Sequence, residues 1–319
     1  MRRAIPFLFL RFWLLGCVLF SALARAESTL AKELSAPVAA ELGQLRTLTD
    51  ARSYGPARAL IERLLPQVAD PSYDLALLSQ VQGQLLLAEG RYEPALAPLQ
   101  RAAELGERHG LFEPRTLLET LYLLGQLNAH LAAEATRPEL KQRYWAAAHA
   151  AITRWLARTP TPNVEVQLFA ASILYQQALL DPAKPDFSRL QAARLAAEEC
   201  LLLEATPREA SYVMVLAIQQ QLGQREAAAD TLELLVKAHP GKALYWQQLA
   251  GTYLTLAADS ADSAEAAASA TTCRPQLRAL LTLERAQALG HLTSAVDQAN
   301  ANALRALLSQ PTAVTAHAL

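Results

Sequence analysis

Stretches that alternate between apolar and polar residues, as half-buried strands do, are nearly absent from this sequence. Glycine is scarce, at 12 of 319 residues, and there are only 3 cysteines. Without strand signals a sheet-based fold is excluded. Among so few glycines there is no dinucleotide-binding fingerprint and no phosphate-cradling G-x-x-x-x-G-K-[ST] loop, and the chain also lacks a G-x-S-x-G nucleophile elbow. The six histidines, His109, His130, His149, His239, His291 and His317, show no pairing with Cys, Asp or Glu at metal-ligand spacing, so neither a metal nor a cofactor is indicated. Basic runs are missing too, which argues against nucleic acid as a partner. No residue pattern is left for an enzyme to rest on. Glu198 and Glu199 are neighbours on a helix and point in different directions, as a solvated pair does, and His149 lies four residues from Trp145, as a packing pair does.

The first 26 residues form a unit of their own. Arg2 and Arg3 precede an apolar run from Ala4 to Leu23 that ends in Ala24-Arg25-Ala26, the pattern of a secretory signal peptide with an A-x-A cleavage site. Arg11 leaves only Phe12 to Leu23 uncharged, too short for a bilayer core of roughly 30 Å. Export to the periplasm and cleavage near Ala26 are expected. A second reading takes Leu14-Leu15-Gly16-Cys17 as a lipobox that anchors the chain through Cys17. That start would be followed by apolar residues where a polar tether is usual, and the Ala-Arg-Ala signal would go unexplained.

Cleavage takes four arginines from the 29 basic residues, leaving 25 against 30 acidic ones and a net charge of −5. No further apolar stretch reaches membrane-spanning length. Cys200 and Cys273 survive cleavage into an oxidising compartment, where they can pair as a disulfide; Cys200 also reads as a small apolar residue on a helix face.

Apolar residues recur at three- and four-residue spacing among good helix formers, which predicts an all-α chain. Breakers near Pro66 to Pro71, Gly106 to Pro114, Thr159 to Pro162, Asp181 to Pro185, Thr206-Pro207 and Pro240-Gly241 cut it into helices of about 12 to 18 residues. Tyr54-Gly55-Pro56-Ala57 and Tyr92-Glu93-Pro94-Ala95 match each other 38 residues apart, each opening a helix, which is the mark of stacked helix pairs. Pro98 lies a full turn further in, where it is expected to delay or bend its helix.

On these residues the chain resembles the tetratricopeptide repeat. With Ala76 as position 1, Gly83, Leu86, Gly90, Tyr92, Ala95, Leu99 and Ala102 fall on positions 8, 11, 15, 17, 20, 24 and 27. A copy from Glu209 places Tyr212, Gly223, Ala228, Leu232, Leu235 and Pro240 on positions 4, 15, 20, 24, 27 and 32. The next, from Ala243, places Trp246, Leu249, Ala250 and Tyr253 on positions 4, 7, 8 and 11. Weaker copies put Ala57, Ile61 and Leu64, then Ala148, Ile152 and Trp155, then Ala193, Ala197 and Cys200 on positions 20, 24 and 27. The resemblance implies a right-handed superhelical stack of about six helix pairs over residues 27–308. His291 to Leu308 is expected to form a capping helix and residues 309–319 a disordered tail. A Ser/Ala/Asp-rich insertion at 257–272 reads as a flexible loop, with a solvated alanine-rich helix as the alternative.

In such arrays positions 2, 5, 9 and 12 of the first helices line a concave groove for another protein. They map to Gln80, Gln84 and Leu87, to Glu119, Tyr122 and Gln126 with Gly125 as position 8, and to Val213, Gln220, Leu244, Gln247 and Leu254. Apart from Glu119 this surface is uncharged and rich in glutamine, suited to an extended peptide or a helix; the same glutamines also read as helix formers on a wet face. Tyr245-Trp246-Gln247-Gln248-Leu249-Ala250 and Leu283 to Gly290 (LERAQALG) resemble the last repeats of exported proteins that accompany TonB-type energy-transducing systems. That similarity covers the C-terminal third and implies a non-enzymatic adaptor working beside a TonB/ExbB/ExbD-type complex. The alternative is a self-assembling scaffold for outer-membrane or cell-wall assembly.

Overall fold

A computed structural model describes residues 34–262, 274–292 and 294–309. The signal segment, Cys17, Cys273, residues 263–272 of the insertion and the tail from 310 lie outside the described residues. Every regular element described is helical, with no strand among the described residues. The helices fall into two compact units, Met1–Pro162 and Asn163–Leu319, which divide at the Thr159–Pro162 punctuation.

Unit 1 holds three helix pairs: α1 (Ala36–Asp50) with α2 (Tyr54–Leu64), α3 (Tyr73–Ala88) with α4 (Tyr92–His109), and α5 (Pro114–Glu134) with α6 (Pro138–Leu156). Unit 2 holds three more and a terminal helix: α7 (Val164–Ala178) with α8 (Phe187–Leu203), α9 (Glu209–Gln221) with α10 (Arg225–Ala238), α11 (Ala243–Asp262) with α12 (Arg274–Ala288), and then α13 (Ala295–Ser309). Within each unit every helix also packs on the next, so the pairs stack as an α-solenoid stacks them.

Local chemistry accounts for the boundaries. Ser72, Asn163 and Asp186 cap α3, α7 and α8 by accepting the backbone N–H three residues on, at 3.1, 3.1 and 3.0 Å. Such a cap contributes about 1 kcal/mol. Pro114 and Pro138 open α5 and α6, where no N–H is needed. The matching Tyr54 and Tyr92 segments do open α2 and α4. Pro98 does not delay α4, which already runs from Tyr92 and continues through it. The extra residues near Glu134 lengthen the third pair, giving α5 21 residues and α6 19. Residues 257–262, the start of the insertion, continue α11 as helix.

Packing fixes the repeat register. A Cβ placed on Gly83 would lie 2.4 Å from Leu99 Cγ, so positions 8 and 24 of that pair already touch at the limit. Ala95, Leu99 and Ala102 are fully buried, as are Ala57 with Ile61, Ala148 with Ile152, and Ala193 with Ala197 and Cys200. Positions 20 and 24, a small and a large residue in three of these pairs and two alanines, Ala193 and Ala197, in the fourth, bind each second helix to its first. In unit 2, Trp246, Leu249, Ala250 and Tyr253 enter a core with Ala228, Leu232 and Leu235. The Pro240 carbonyl accepts from Trp246 Nε1 at 2.8 Å and from His291 Nε2 at 2.9 Å, which sets the start of α13 beside the start of α11.

The last helix stands where a seventh first helix would. With Ala295 as position 1, the positions that would receive a partner helix, 4, 8 and 11, carry Gln298, Asn302 and Arg305, all exposed. Its other side buries Ala301 and Leu304 in the unit 2 core. Polar residues where other first helices carry Trp246, Ala250 and Tyr253 end the stack, as capping repeats require.

Candidate partner-binding faces

The groove positions behave differently in the two units. In unit 1, Gln80 is only 1% exposed, and its Nε2 donates to Thr120 Oγ1 of α5 at 2.9 Å. Its Oε1 is buried with no hydrogen-bond partner. Gln84 is buried one turn on, and Leu87 packs partly against the core. Glu119 accepts from Arg115 Nε at 2.8 Å, so its charge is balanced within α5; Tyr122 and Gln126 are half-buried. On the first-helix face of unit 1, Gln80 thus links α3 to α5.

The equivalent face of unit 2 is open. Leu244 is 58% exposed, Gln247 and Gln220 are exposed, and Val213 and Leu254 rest partly against the core. Position counting also reaches a residue that the first mapping passed over. Gly251 is position 9 of α11, and a Cβ there would meet nothing within 4 Å. On α13 the same count gives Val296 at position 2 and Ala303 at position 9, both exposed. The signal for these two lay in the capping helix, whose register becomes readable only once its start is fixed beside that of α11.

Acidic side chains brace the helices around this face. Glu209, at the start of α9, accepts from Lys242 Nζ and from Tyr245 Oη, with His239 Nε2 at 3.9 Å. The Lys242 and Tyr245 hydrogen bonds hold the Glu209 carboxyl below the usual carboxylate range. Burial, and then Glu209, pushes the Tyr245 hydroxyl up. Tyr253 donates to Glu233 and is likewise raised, first by burial. Both phenols therefore stay neutral donors that tie helices together. Glu204 is partly desolvated, but Arg208 and Ser211 hold it low.

Cys200 is a free, buried thiol whose Sγ donates to the Ala196 carbonyl at 3.2 Å, and burial pushes its pKa up to about 11. The Cys200–Cys273 pairing falls outside the described residues because Cys273 does. No helix among the described residues is long and apolar enough to cross a membrane.

Together these features define a tetratricopeptide-like array of helix pairs in two units, with an uncharged open face on the second. No protein-family model and no curated protein matches the chain. Solved structures similar to it include a tetratricopeptide repeat protein from Parabacteroides merdae, at 11% identity over 84% of this chain and 99% of that one, with a TM-score of 0.48. Another is the assembly chaperone of RpL4, Acl4, at 12% identity over 85% and 96% of the two chains, TM-score 0.40. A third is Naa15/Naa10 bound to HypK-THB, at 16% identity over 84% and 46%, TM-score 0.28. At such scores these likenesses add nothing to what the helix pairs themselves show.

Proposed function

We propose that this chain is an exported, periplasmic, non-enzymatic adaptor that holds a peptide or helix of another protein against the first-helix face of unit 2. The observation that carries this reading is the open, uncharged surface of Gln220, Leu244, Gln247 and Gly251, where amides can bond a bound backbone and apolar side chains can grip its residues. The sequence likeness of the C-terminal third to proteins beside TonB-type systems supports a TonB/ExbB/ExbD-type complex as the partner.

The test is photo-crosslinking in living cells at Gln247 and Gln220, with buried Gln84 as a control, followed by mass spectrometry of the envelope fraction. Recovery of a motor or transducer protein at Gln247 and Gln220, and not at Gln84, is the expected result. Recovery of this chain alone would sink the adaptor reading and favour a self-assembling scaffold for outer-membrane or cell-wall assembly.

A further inference from the structure

The second helix α8 is apolar on both sides. Leu190, Ala193, Ala197 and Cys200 are fully buried against its own pair. On the other side Phe187 is 58%, Leu195 61% and Leu202 87% exposed. At 100° per residue these three fall within an arc of about 80°, with Gln191 and Glu198 along the same edge. An amphipathic surface helix normally turns charge outward, and a leucine left in water forgoes the stabilisation that burial gives. A stripe with this spacing suits the seam of a helix–helix contact.

We propose that the occupant of this seam is α8 of a second copy of the chain, packed antiparallel about a two-fold axis between Arg194 and Leu195. The pattern is its own complement, as an isologous interface requires. A two-fold axis between Arg194 and Leu195 sets Phe187 against Leu202 of the second copy, and places the two Leu195 side chains on either side of it, about 1.5 Å apart along the helix. It also sets Gln191 beside Glu198 of the second copy. The polar pair matches in hydrogen-bonding sense. Gln191 Oε1 already accepts from Arg194 Nε at 3.1 Å, which leaves its NH2 group to donate. The Glu198 carboxylate takes only Arg194 Nη1, at 2.8 and 2.9 Å, and keeps lone pairs for a further donor. A membrane surface would call for a basic face instead, whereas Arg194 here is neutralised by Glu198. This seam lies on a second helix and does not depend on the first-helix face holding a partner.

The experiment uses the full chain with Cys17 and Cys273 changed to serine. Mild oxidation of a Leu195→Cys variant should give disulfide-linked homodimers, because the two new sulfurs flank the axis closely. Leu277→Cys, at 47% exposure on α12, should give few. In sedimentation velocity, Gln191→Glu should weaken the dimer roughly tenfold by setting two carboxylates together, and Gln191→Lys should tighten it by a similar factor. Leu202→Asp should weaken it more, with helicity unchanged. A chain that stays monomeric, a dimer indifferent to both Gln191 variants, or capture of a different protein at Leu195 would each overturn the proposal. Failure here leaves crosslinking at Gln247 unaffected, so the two readings fall separately.

Discussion

In unit 1 the second helices turn polar residues to solvent: Glu62 and Arg63 on α2, Arg101 and Glu104 on α4, Gln142 and Arg143 on α6. In unit 2 the corresponding helices carry Phe187, Leu195, Leu202, Leu234, Leu277 and Leu281 outward, and all eleven large hydrophobic residues exposed among the described residues belong to this unit. The first helices show the same contrast, with Gln80 and Gln84 buried in unit 1 and Gln220 and Gln247 exposed in unit 2. One packing rule thus supports two purposes. Unit 1 buries its first-helix amides and turns polar residues outward, while unit 2 leaves apolar and amide groups exposed.

The sharpest way to break this comparison is at two helical glycines. Gly83→Ala in unit 1 would drive a methyl against Leu99, which is fully buried and lies 2.4 Å from the new carbon. We expect a net loss of about 1–3 kcal/mol from overpacking. Gly251→Ala in unit 2 meets open space and should gain about 0.5–1 kcal/mol, the usual advantage of alanine in a helix. Urea denaturation of both variants measures the pair. If both changes stabilise, positions 8 and 24 are not in contact and the register assigned to unit 1 is wrong.

Most of the pairing was legible because the positions that matter combine size with periodicity. Gly83, Ala95 and Leu99 announce a close helix contact at fixed spacing, and Trp246 with Tyr253 announces the space beside it. The state of the groove was not legible. Gln80 and Gln247 occupy the same repeat position, yet one is buried with its amide on the Thr120 hydroxyl, forty residues on, while the other stays wet. The outward leucines of α8 were hidden for a related reason. A helix ending Cys200-Leu201-Leu202-Leu203 has apolar residues all round, so its sequence cannot say which side packs.

Acid should separate the two units further. Glu204 and Glu209, the carboxylates held low, both belong to unit 2. A depressed carboxylate adds stability that is fully present above its unfolded value, about 4.3, and is lost as pH falls through the lower folded value. Amide protection of α9 to α11, taken relative to the intrinsic exchange rate at each pH, should therefore fall below about pH 4.3. In Glu209→Gln it should be lower at pH 7 and depend less on pH in the acid window. Identical pH profiles for the variant and the parent would remove Glu209 as a brace of this unit.

The smallest effect expected concerns a turn the two units share. Gly90 in unit 1 and Gly223 and Gly290 in unit 2 end their helices at φ 72°, 69° and 75°. The next N–H in each case reaches back five residues, as Arg91 does to the Leu86 carbonyl at 2.8 Å and Gln224 to Gln219 at 2.9 Å. The α1–α2 turn makes the same bond, from Ser53 to Leu48 at 2.8 Å, but places Arg52 at φ 56°. A side chain in the left-handed region costs about 1–2 kcal/mol, partly offset because arginine has less freedom than glycine to lose on folding. Arg52→Gly should therefore stabilise unit 1 by roughly 0.5–1 kcal/mol, and Gly223→Arg should destabilise unit 2 by a similar amount. Thermal melts of the two variants test both signs. Opposite shifts of similar size would show that the first pair of unit 1 turns as the later pairs do, and a neutral Arg52→Gly would mean that the arginine makes a compensating contact.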